Sequence, residues 1–231
     1  MDINKEFRNY AVKHIGISSL SLHRYDNALI NHGVTNMTRS IIEERQVNFR
    51  EIDVFSRLMQ DRIIFLGMPI DDIVCNIVTA QLLFLDNLDP SKEITMYINS
   101  PGGSVYDGYG IRDVMQYVTP EVSTVAISLA ASMAAILLTS GAAGKRYSLP
   151  YSRIMLHQPL GAMQGQASDM EISYKQISII KKELYEIIQM HLPDNKKKSL
   201  EQIEKDCDRD YWMNGKEAVE YGIIDEVIER R

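Results

Sequence analysis

A serine, a histidine and a group of aspartates lie in the second half of the chain in an order that could serve nucleophilic chemistry. Ser132 lies near the middle of an uncharged stretch, and His157 ends the short apolar run RIMLH. A serine nucleophile needs a base within hydrogen-bond reach, and the base needs a carboxylate that orients it. The run DCDRD offers three such carboxylates, namely Asp206, Asp208 and Asp210. These residue types predict acyl transfer by a serine, and their spacing does not select one aspartate.

The uncharged stretch over 122–144 predicts the local structure around Ser132. Its first half, VSTVAI, is rich in β-branched residues, whereas its second half, SMAAILLTSG, is rich in Ala, Leu and Met. The two halves predict a buried strand followed by a helix, with Ser132 at the junction. The first N–H groups of a helix have no partner inside it and lie at the positive end of its dipole, so they can hold an oxyanion.

Two simpler explanations of this stretch compete with a catalytic one. A serine at a helix start most often caps the helix through its hydroxyl, and from this stretch alone a cap is the favoured hypothesis. An uncharged run of this length also resembles a membrane span. However, six Ser and Thr side chains and seven alanines lower its hydropathy, and we therefore expect no membrane segment.

Two consecutive glycines, Gly102 and Gly103, follow the predicted strand ITMYINS and precede a predicted helix over 105–118. Phosphate-binding loops occupy such positions, but Tyr109 and Gly110 stand where such a loop needs Lys and Ser or Thr. The chain also lacks a GxGxxG pattern, so we expect no nucleotide site and no cofactor. Adjacent glycines instead allow the backbone to approach a ligand closely and to direct an N–H donor at it.

Composition limits the classes of function that remain. The chain has 231 residues, 45% of them apolar and 24% charged, which is ordinary for a soluble globular protein with one main domain. Its net charge of −6 argues against a general nucleic-acid binder. The two cysteines, Cys75 and Cys207, have neither metal-ligand spacing nor a disulfide framework, and the aspartate run is too short for calcium. We therefore expect no metal, no nucleic acid and a location in the reducing cytoplasm.

Alternating strand and helix patterns from Ile63 onward predict an α/β fold. The predicted strands are RIIFLG, ITMYINS, VSTVAI, RYSL, RIMLH and IIDEVI, with helices between the first four. Asp71 or Asp72 is expected to cap the first of these helices. A long amphipathic helix begins at Ser168 and breaks at Pro193, outside this rhythm. It either projects to pair with another subunit or packs in the core, and periodicity does not separate the two.

Several ordered motifs resemble the proteolytic subunit of the Clp protease family over about residues 55–229. They are INSPGG at 98–103, AASM at 130–133, SRIMLHQPLG at 152–161, GQASD at 165–169, RD at 209–210 and EAVEYGIID at 217–225. The interval between Ser132 and His157 is also that of the family. Because an Arg-Asp pair precedes the EYG segment, the resemblance implies that Asp210 completes a catalytic triad with them.

The resemblance also implies an architecture and a substrate site. It implies a crotonase-like α/β fold, with a head domain of repeated ββα units and a projecting helical handle at about residues 160–191. Two stacked heptameric rings of this chain would form a tetradecamer. The backbone N–H groups of Gly103 and Met133 would form an oxyanion hole. An extended peptide would add as a strand, and the residues implied to bind it are Gly102, Gly103, Ser104, Val105, Leu160 and Gly161.

The extent of the resemblance divides the chain into three segments. Residues 1–36 carry many Gly, Ser and Asn residues, and we expect a mobile extension or a propeptide removed by self-cleavage. No apolar block long enough for a secretory signal occurs there. Residues 37–54 are expected to line an axial pore, and residues 55–231 are expected to form the head with its handle.

These features predict a serine endopeptidase that degrades unfolded proteins to short peptides inside a barrel. Since the chain has no nucleotide motif, any ATP would be used by a separate partner, for which the resemblance implies an AAA+ unfoldase ring. Four positions depart from the family's usual residues, namely Ser128, Leu129, Ala134 and Ala162. These departures leave open one alternative function. The chain would then be a catalytically silent ring subunit that gates a mixed barrel, which it forms together with an active paralogue. A crotonase-type acyl-CoA enzyme is a second alternative, because it would share the head fold without needing the triad.

Overall fold

A computed structural model describes residues 3–24, 41–45 and 48–230 of the chain, with side chains described over 6–24 and 53–230. The helices are α1 Ile3–Lys13, α2 19–24, α3 Val54–Gln60, α4 Asp72–Leu88, α5 Val105–Tyr117, α6 Met133–Thr139, α7 Ala167–His191, α8 Leu200–Asp206 and α9 Gly215–Tyr221. The strands are β1 Ile41–Arg45, β2 Asn48–Ile52, β3 Ile63–Leu66, β4 Ile94–Ser100, β5 Val122–Ala131, β6 Arg146–Ser148, β7 Arg153–Leu156, β8 Tyr211–Asn214 and β9 Glu226–Val227.

A seven-stranded sheet organises the described part of the chain. Its main path runs β3-β4-β5-β6-β9, in which all neighbours are parallel. β7 pairs in parallel with the end of β5, and β8 pairs antiparallel with β7. Helices α4, α5 and α6 connect successive parallel strands, and the side chain of Asp71, rather than Asp72, caps α4. The predicted α/β fold is confirmed.

An irregularity in β5 lets this strand pair with two successive partners. Ile98 of β4 lies opposite Ala126 of β5. The next pair joins Ser100 to Ala130, so β5 contains extra residues at this point and forms a bulge. Ser128 lies in the bulge with a φ of 62°. Before the bulge β5 pairs with β6, and after it β5 pairs with β7. The bulge therefore brings the end of β5 beside β7.

Helix α6 is buried along its whole length, although it has only seven residues. Its side chains from Met133 to Thr139 face β4, β5, β7, α5 and α7. Burial of each Leu, Ile or Met side chain contributes about 1.5–3 kcal/mol to stability. The helix therefore holds the residue that precedes it, Ser132, in a fixed position.

The N-terminal segment, expected to be a mobile extension or a propeptide over residues 1–36, contains a helix that packs on the rest of the described chain. Helix α1 packs on α3 and α4, with Ala11 fully buried and the Phe7 ring 5.8 Å from that of Phe84. The reason is a short apolar stripe at helical spacing that includes Phe7, Tyr10 and Ala11. Residues 25–40, which include the boundary with the expected pore-lining segment, lie outside the described residues. β1 and β2 form an antiparallel pair in the described part of that segment.

The sequence pattern of the long helix α7 left two alternatives open, packing in the core and projection toward another subunit. The structure shows a packed half and an exposed half. Its C-terminal half packs in the core through Ile180, Leu184, Tyr185 and Ile188. Its N-terminal half leaves large apolar side chains exposed, which are Met170, Ile172, Tyr174 and Ile179. The helix is therefore held by the core at one end and offers an apolar surface at the other.

A buried ion pair joins β6 to the C-terminal segment. Arg146, whose side chain is 2% exposed, donates from Nε and Nη2 to the two carboxylate oxygens of Asp225, at 2.9 and 2.5 Å. Its Nη1 donates to the carbonyl of His191, the last residue of α7, at 2.8 Å. Burial raises the pKa of Asp225, but the hydrogen bonds and the charge of Arg146 outweigh burial, so the pKa is lowered overall.

Asp225→Asn should lower the free energy of unfolding by about 3 kcal/mol, because the buried guanidinium of Arg146 loses its counter-charge. A carboxylate with a lowered folded pKa stabilises fully above its unfolded pKa, about 3.9, and loses this effect as the pH falls through the folded pKa. Urea unfolding should therefore show a difference in the free energy of unfolding between wild type and variant at pH 6. This difference should become smaller below about pH 4. A difference that does not change with pH would contradict this account.

Candidate active site

Ser132 lies between β5 and α6 in a conformation that residues other than glycine rarely adopt. Its φ is 56° and its ψ is −127°, which is a strained combination for an L-residue. Its side chain makes no capping hydrogen bond to α6, so the simple capping hypothesis is wrong. The Ser132 N–H donates to the Met155 carbonyl at 2.8 Å, which ties the strained residue to β7. The hydroxyl is left to interact with a side chain at the end of that strand.

His157 directly follows β7, and its ring contacts both other residues of the predicted triad. Nε2 is 2.8 Å from Ser132 Oγ, and Nδ1 is 3.1 Å from Asp210 Oδ1. β5 and β7 are parallel neighbours, with Ala131 opposite Met155, so the residues that follow them leave the sheet at the same edge. With its proton on Nδ1 and donated to the carboxylate, the histidine can accept the serine proton at Nε2.

Asp210 is positioned by β8, a strand that the sequence pattern did not predict. β8 is antiparallel to β7, and Leu156 lies opposite Tyr211. The residue after Leu156 and the residue before Tyr211 therefore face each other at the next position. These residues are His157 and Asp210, so the register of the two strands brings the histidine and the carboxylate together.

The other two aspartates of the run have different partners. Asp206 accepts a hydrogen bond from the Tyr221 hydroxyl at 2.9 Å. Asp208 accepts one from the Gln158 side chain at 3.4 Å. Among the hydrogen bonds of the described residues, only Asp210 of the three contacts the histidine ring. The geometry thus selects the aspartate that spacing alone left open.

The glycine turn after β4 lies directly against the serine. Gly102 has a φ of 88°, and a Cβ atom there would lie 2.6 Å from the Ala131 carbonyl oxygen and 2.8 Å from Ser132 Cβ. Gly103 pairs with Ile70 in an isolated parallel bridge, where a Cβ atom would lie 2.2 Å from the Ile70 carbonyl oxygen. Neither position has space for a side chain, which explains why two glycines follow each other here.

The backbone N–H groups of Gly103 and Met133 belong to the residues that directly follow Gly102 and Ser132. The bridge to Ile70 uses the Gly102 carbonyl and the Ser104 N–H, each at 2.9 Å. It leaves the N–H of Gly103 outside the bridge. Met133 is the first residue of α6, where an N–H group has no acceptor within the helix. Because a Cβ atom on Gly102 would lie 2.9 Å from Met133 N, the turn and the helix start are in contact.

A small cavity of about 20 Å³ adjoins the serine and the histidine. Its walls are mostly apolar and include Val105, Met133, Ile136, Leu156 and Leu184. A space of this size holds about one water molecule. The apolar walls favour an uncharged group next to the atom that the serine would attack.

The remaining residues implied to bind substrate lie in two places. Ser104 caps α5 by accepting a hydrogen bond from the Asp107 N–H at 3.4 Å, and Val105 lines the cavity. Leu160, which is 85% exposed, and Gly161 lie in the irregular segment between β7 and α7. The structure therefore does not bring these last two residues into the cavity wall.

Three further features of the described residues concern metal ions, membranes and thiols. They contain no group of three or more His, Cys, Asp and Glu side chains that could hold a metal ion. None of their helices has the length and hydropathy needed to cross a bilayer. Burial raises the pKa of the Cys75 thiol, and it raises the pKa of the Cys207 thiol to about 12, so both stay protonated at neutral pH. The serine hydroxyl is the nucleophile that this geometry favours.

Hydrogen bonds that join a serine to a histidine, and that histidine to a carboxylate, define a serine hydrolase. The sequence profile of the Clp protease family matches residues 44–231. The chain is 54% identical over 225 residues to the ATP-dependent Clp protease proteolytic subunit of Porphyromonas gingivalis, which covers 97% of this chain and 98% of the relative. It is 52% identical over 223 residues to the protein of the same name from Bacteroides fragilis strain YCH46, with 96% and 98% covered. The chain therefore belongs to the Clp protease family.

Membership of this family confirms the resemblance that the sequence motifs indicated. It makes the chain a peptidase of the serine class. It also argues against the second alternative, the crotonase-type acyl-CoA enzyme.

Gly102→Ala should reduce peptide hydrolysis about 100-fold, because its methyl group would displace the serine by a sizeable fraction of an ångström. Gly144→Ala is a matched control, since Gly144 also has a positive φ, 79°, but an added Cβ there meets nothing within 4 Å. Turnover of a fluorogenic peptide and the unfolding temperature should be measured for both variants. Equal turnover in the two variants would show that contact with Ser132 is not the reason why residue 102 is a glycine.

Proposed function

We propose that this chain is the proteolytic subunit of an ATP-dependent protease and cleaves unfolded proteins to short peptides inside a barrel-shaped oligomer. One observation carries the proposal: His157 Nε2 lies 2.8 Å from Ser132 Oγ, and His157 Nδ1 lies 3.1 Å from Asp210 Oδ1. The names of the relatives, which describe ATP-dependent proteolytic subunits, support it. Ser132, His157 and Asp210 are proposed as the catalytic residues.

In the proposed mechanism, Ser132 Oγ attacks the carbonyl carbon of the scissile peptide bond while His157 Nε2 takes the hydroxyl proton. Asp210 keeps the ring in the tautomer with a proton on Nδ1 and stabilises the imidazolium that forms. The C–N bond then breaks, and His157 returns the proton to the departing amine. Water attacks the resulting acyl-enzyme by the same route and releases the second product.

The oxyanion of the tetrahedral intermediate is proposed to accept hydrogen bonds from the N–H groups of Gly103 and Met133. The contact between the glycine turn and the start of α6 supports this role, since it brings both donors to the same edge as the serine. Removal of one such donor typically lowers kcat by about 100- to 1,000-fold. Because both are backbone groups, side-chain substitution does not remove them directly.

The substrate is proposed to bind as an extended strand between residues 103–105 and the segment that contains Leu160 and Gly161. The irregular backbone and the high exposure of Leu160 support this idea, because main-chain groups outside helices and strands can form hydrogen bonds to a peptide. Recognition through the main chain depends little on sequence, which suits the degradation of many proteins.

The proposed assembly is two stacked heptameric rings of this chain, capped by an AAA+ unfoldase that uses the ATP. The exposed apolar half of α7 supports contacts between copies of the chain, since a surface of this kind is usually covered in an assembly. The chain itself has no nucleotide-binding motif, whereas its relatives are named as ATP-dependent. A separate ATPase reconciles these two observations.

Two further proposals concern the N-terminal segments and the location of the protein. Residues 1–36 would be removed by self-cleavage before Ile41, and residues 37–54 would line the axial pore. Cys75 and Cys207 are free cysteines, which is compatible with the reducing cytoplasm as the place of action.

The intact mass of the purified chain, before and after treatment with a fluorophosphonate probe, tests the proposed function. Wild type should gain one probe per chain and should have lost its N-terminal segment. Ser132→Ala should do neither, and its peptide turnover should fall by about six orders of magnitude. Only an activated serine reacts with this probe.

The contrary result would also be informative. A wild-type chain that assembles into rings but stays unlabelled and full length would refute an active peptidase in the isolated protein. The silent subunit of a mixed barrel would then be the better account.

A further inference from the structure

The carboxylate that orients the catalytic histidine belongs to a short exposed segment between α8 and β8. Asp210 lies between the end of α8 at Asp206 and the start of β8 at Tyr211. Its side chain is 58% exposed, and its hydrogen bond within the described residues is the one to His157. β8 anchors the segment on the C-terminal side of Asp210. On its N-terminal side three residues separate it from α8, of which Cys207 is buried in the core whereas Asp208 and Arg209 are exposed.

Gln158, the residue after the catalytic histidine, supplies contacts to this side of the segment. Its backbone N–H donates to the Cys207 carbonyl at 2.7 Å. Its side-chain Nε2 donates to the Asp208 carbonyl at 2.9 Å and lies 3.4 Å from Asp208 Oδ1. One residue therefore binds the segment at two points just before Asp210. The backbone bond survives substitution by any residue except proline, whereas the two side-chain bonds depend on the amide.

We propose that Gln158 is a positioning residue, whose side-chain amide fixes the segment at 207–209 and thereby holds Asp210 against His157. The inference rests on the proposed peptidase function and adds a fourth residue to the machinery around the triad. Gln158 acts through the aspartate, since it neither contacts Ser132 nor lines the cavity beside it. Within this arrangement the Gln158 amide is the side-chain donor to the Asp208 carbonyl, and a side chain without an N–H or O–H group could not replace it.

This role predicts which kinetic constant changes. Without the amide, Asp210 spends less time in contact with the histidine, and the tautomer that accepts the serine proton is less often in place. Substrate binding next to the serine is expected to be unchanged, because Gln158 does not line the cavity there, although it does line a separate, larger pocket with Pro159 and α7. The kcat should therefore fall while KM stays the same.

Gln158→Ala should lower kcat about tenfold with KM unchanged within twofold, measured with a fluorogenic peptide and the assembled full-length protein. Gln202→Ala is the matched control, because Gln202 on α8 also uses its amide on a neighbouring aspartate, donating to Asp206 Oδ1 at 2.7 Å. The control variant should retain wild-type kcat within twofold. Equal kcat values for the two variants would overturn the proposal.

Gln158→Met protects the test against a loss of folding. Methionine keeps the length of the side chain but has no donor, so it should lower kcat as much as alanine does. Unfolding temperatures of all variants should be recorded alongside the kinetics. A Met variant with wild-type kcat would show that the amide donor has no role.

A double-mutant cycle separates positioning from a merely structural effect. The rate of fluorophosphonate labelling should fall about tenfold when Gln158→Ala is made in wild type, and should not fall further when it is made in Asp210→Asn. The same tenfold loss in both backgrounds would overturn the proposal, because Gln158 would then act without the aspartate. A wild-type chain that does not label would instead overturn the peptidase function on which the inference rests.

Discussion

The position of β7 between two other strands is the constraint on which the site depends. Its parallel pairing with the end of β5 aligns Ser132 with the strand that carries His157, and its antiparallel register with β8 brings Asp210 to the same edge. A slip of one residue in either register would turn these side chains to the opposite face of the sheet. Residues 154–156 of β7 are buried, so the strand that anchors the core also fixes the geometry of the triad.

The strained backbone of Ser132 is stable because rigid structure surrounds it. A residue at positive φ costs about 1–3 kcal/mol, and the burial of α6 directly after it contributes more than this. Gly102 leaves the space that the turn requires. Ser128 shows a similar compromise, since it adopts a φ of 62°, in the left-handed region that favours glycine, within the bulge of β5. The bulge delivers the end of β5 to β7.

Local patterns predicted the elements that carry the serine and the glycine turn. The strand Ile94–Ser100, the helix that follows it and the strand-to-helix junction at Ser132 agree with the structure, because each has a continuous signal of several residues. β8 was missed because it is only four residues long, and two of these are exposed aromatic residues without a clear alternation. The packing of α1 was missed because its apolar stripe is short. Gln158 gave no local signal, since its partners lie about fifty residues away.

The sequence by itself determined the chemistry that was possible: a serine at a helix start, a histidine at a strand end, a pair of glycines and a choice of three carboxylates. It also determined the family, because several motifs occur in the right order. Residue spacing left the three aspartates open and the family resemblance pointed to Asp210, but only the tertiary structure showed that Asp210 contacts His157 and that Ser132 does not cap its helix. The physical reason is that these outcomes depend on the registers of β5, β7 and β8, strands that are distant along the chain, and local periodicity contains no information on such pairing.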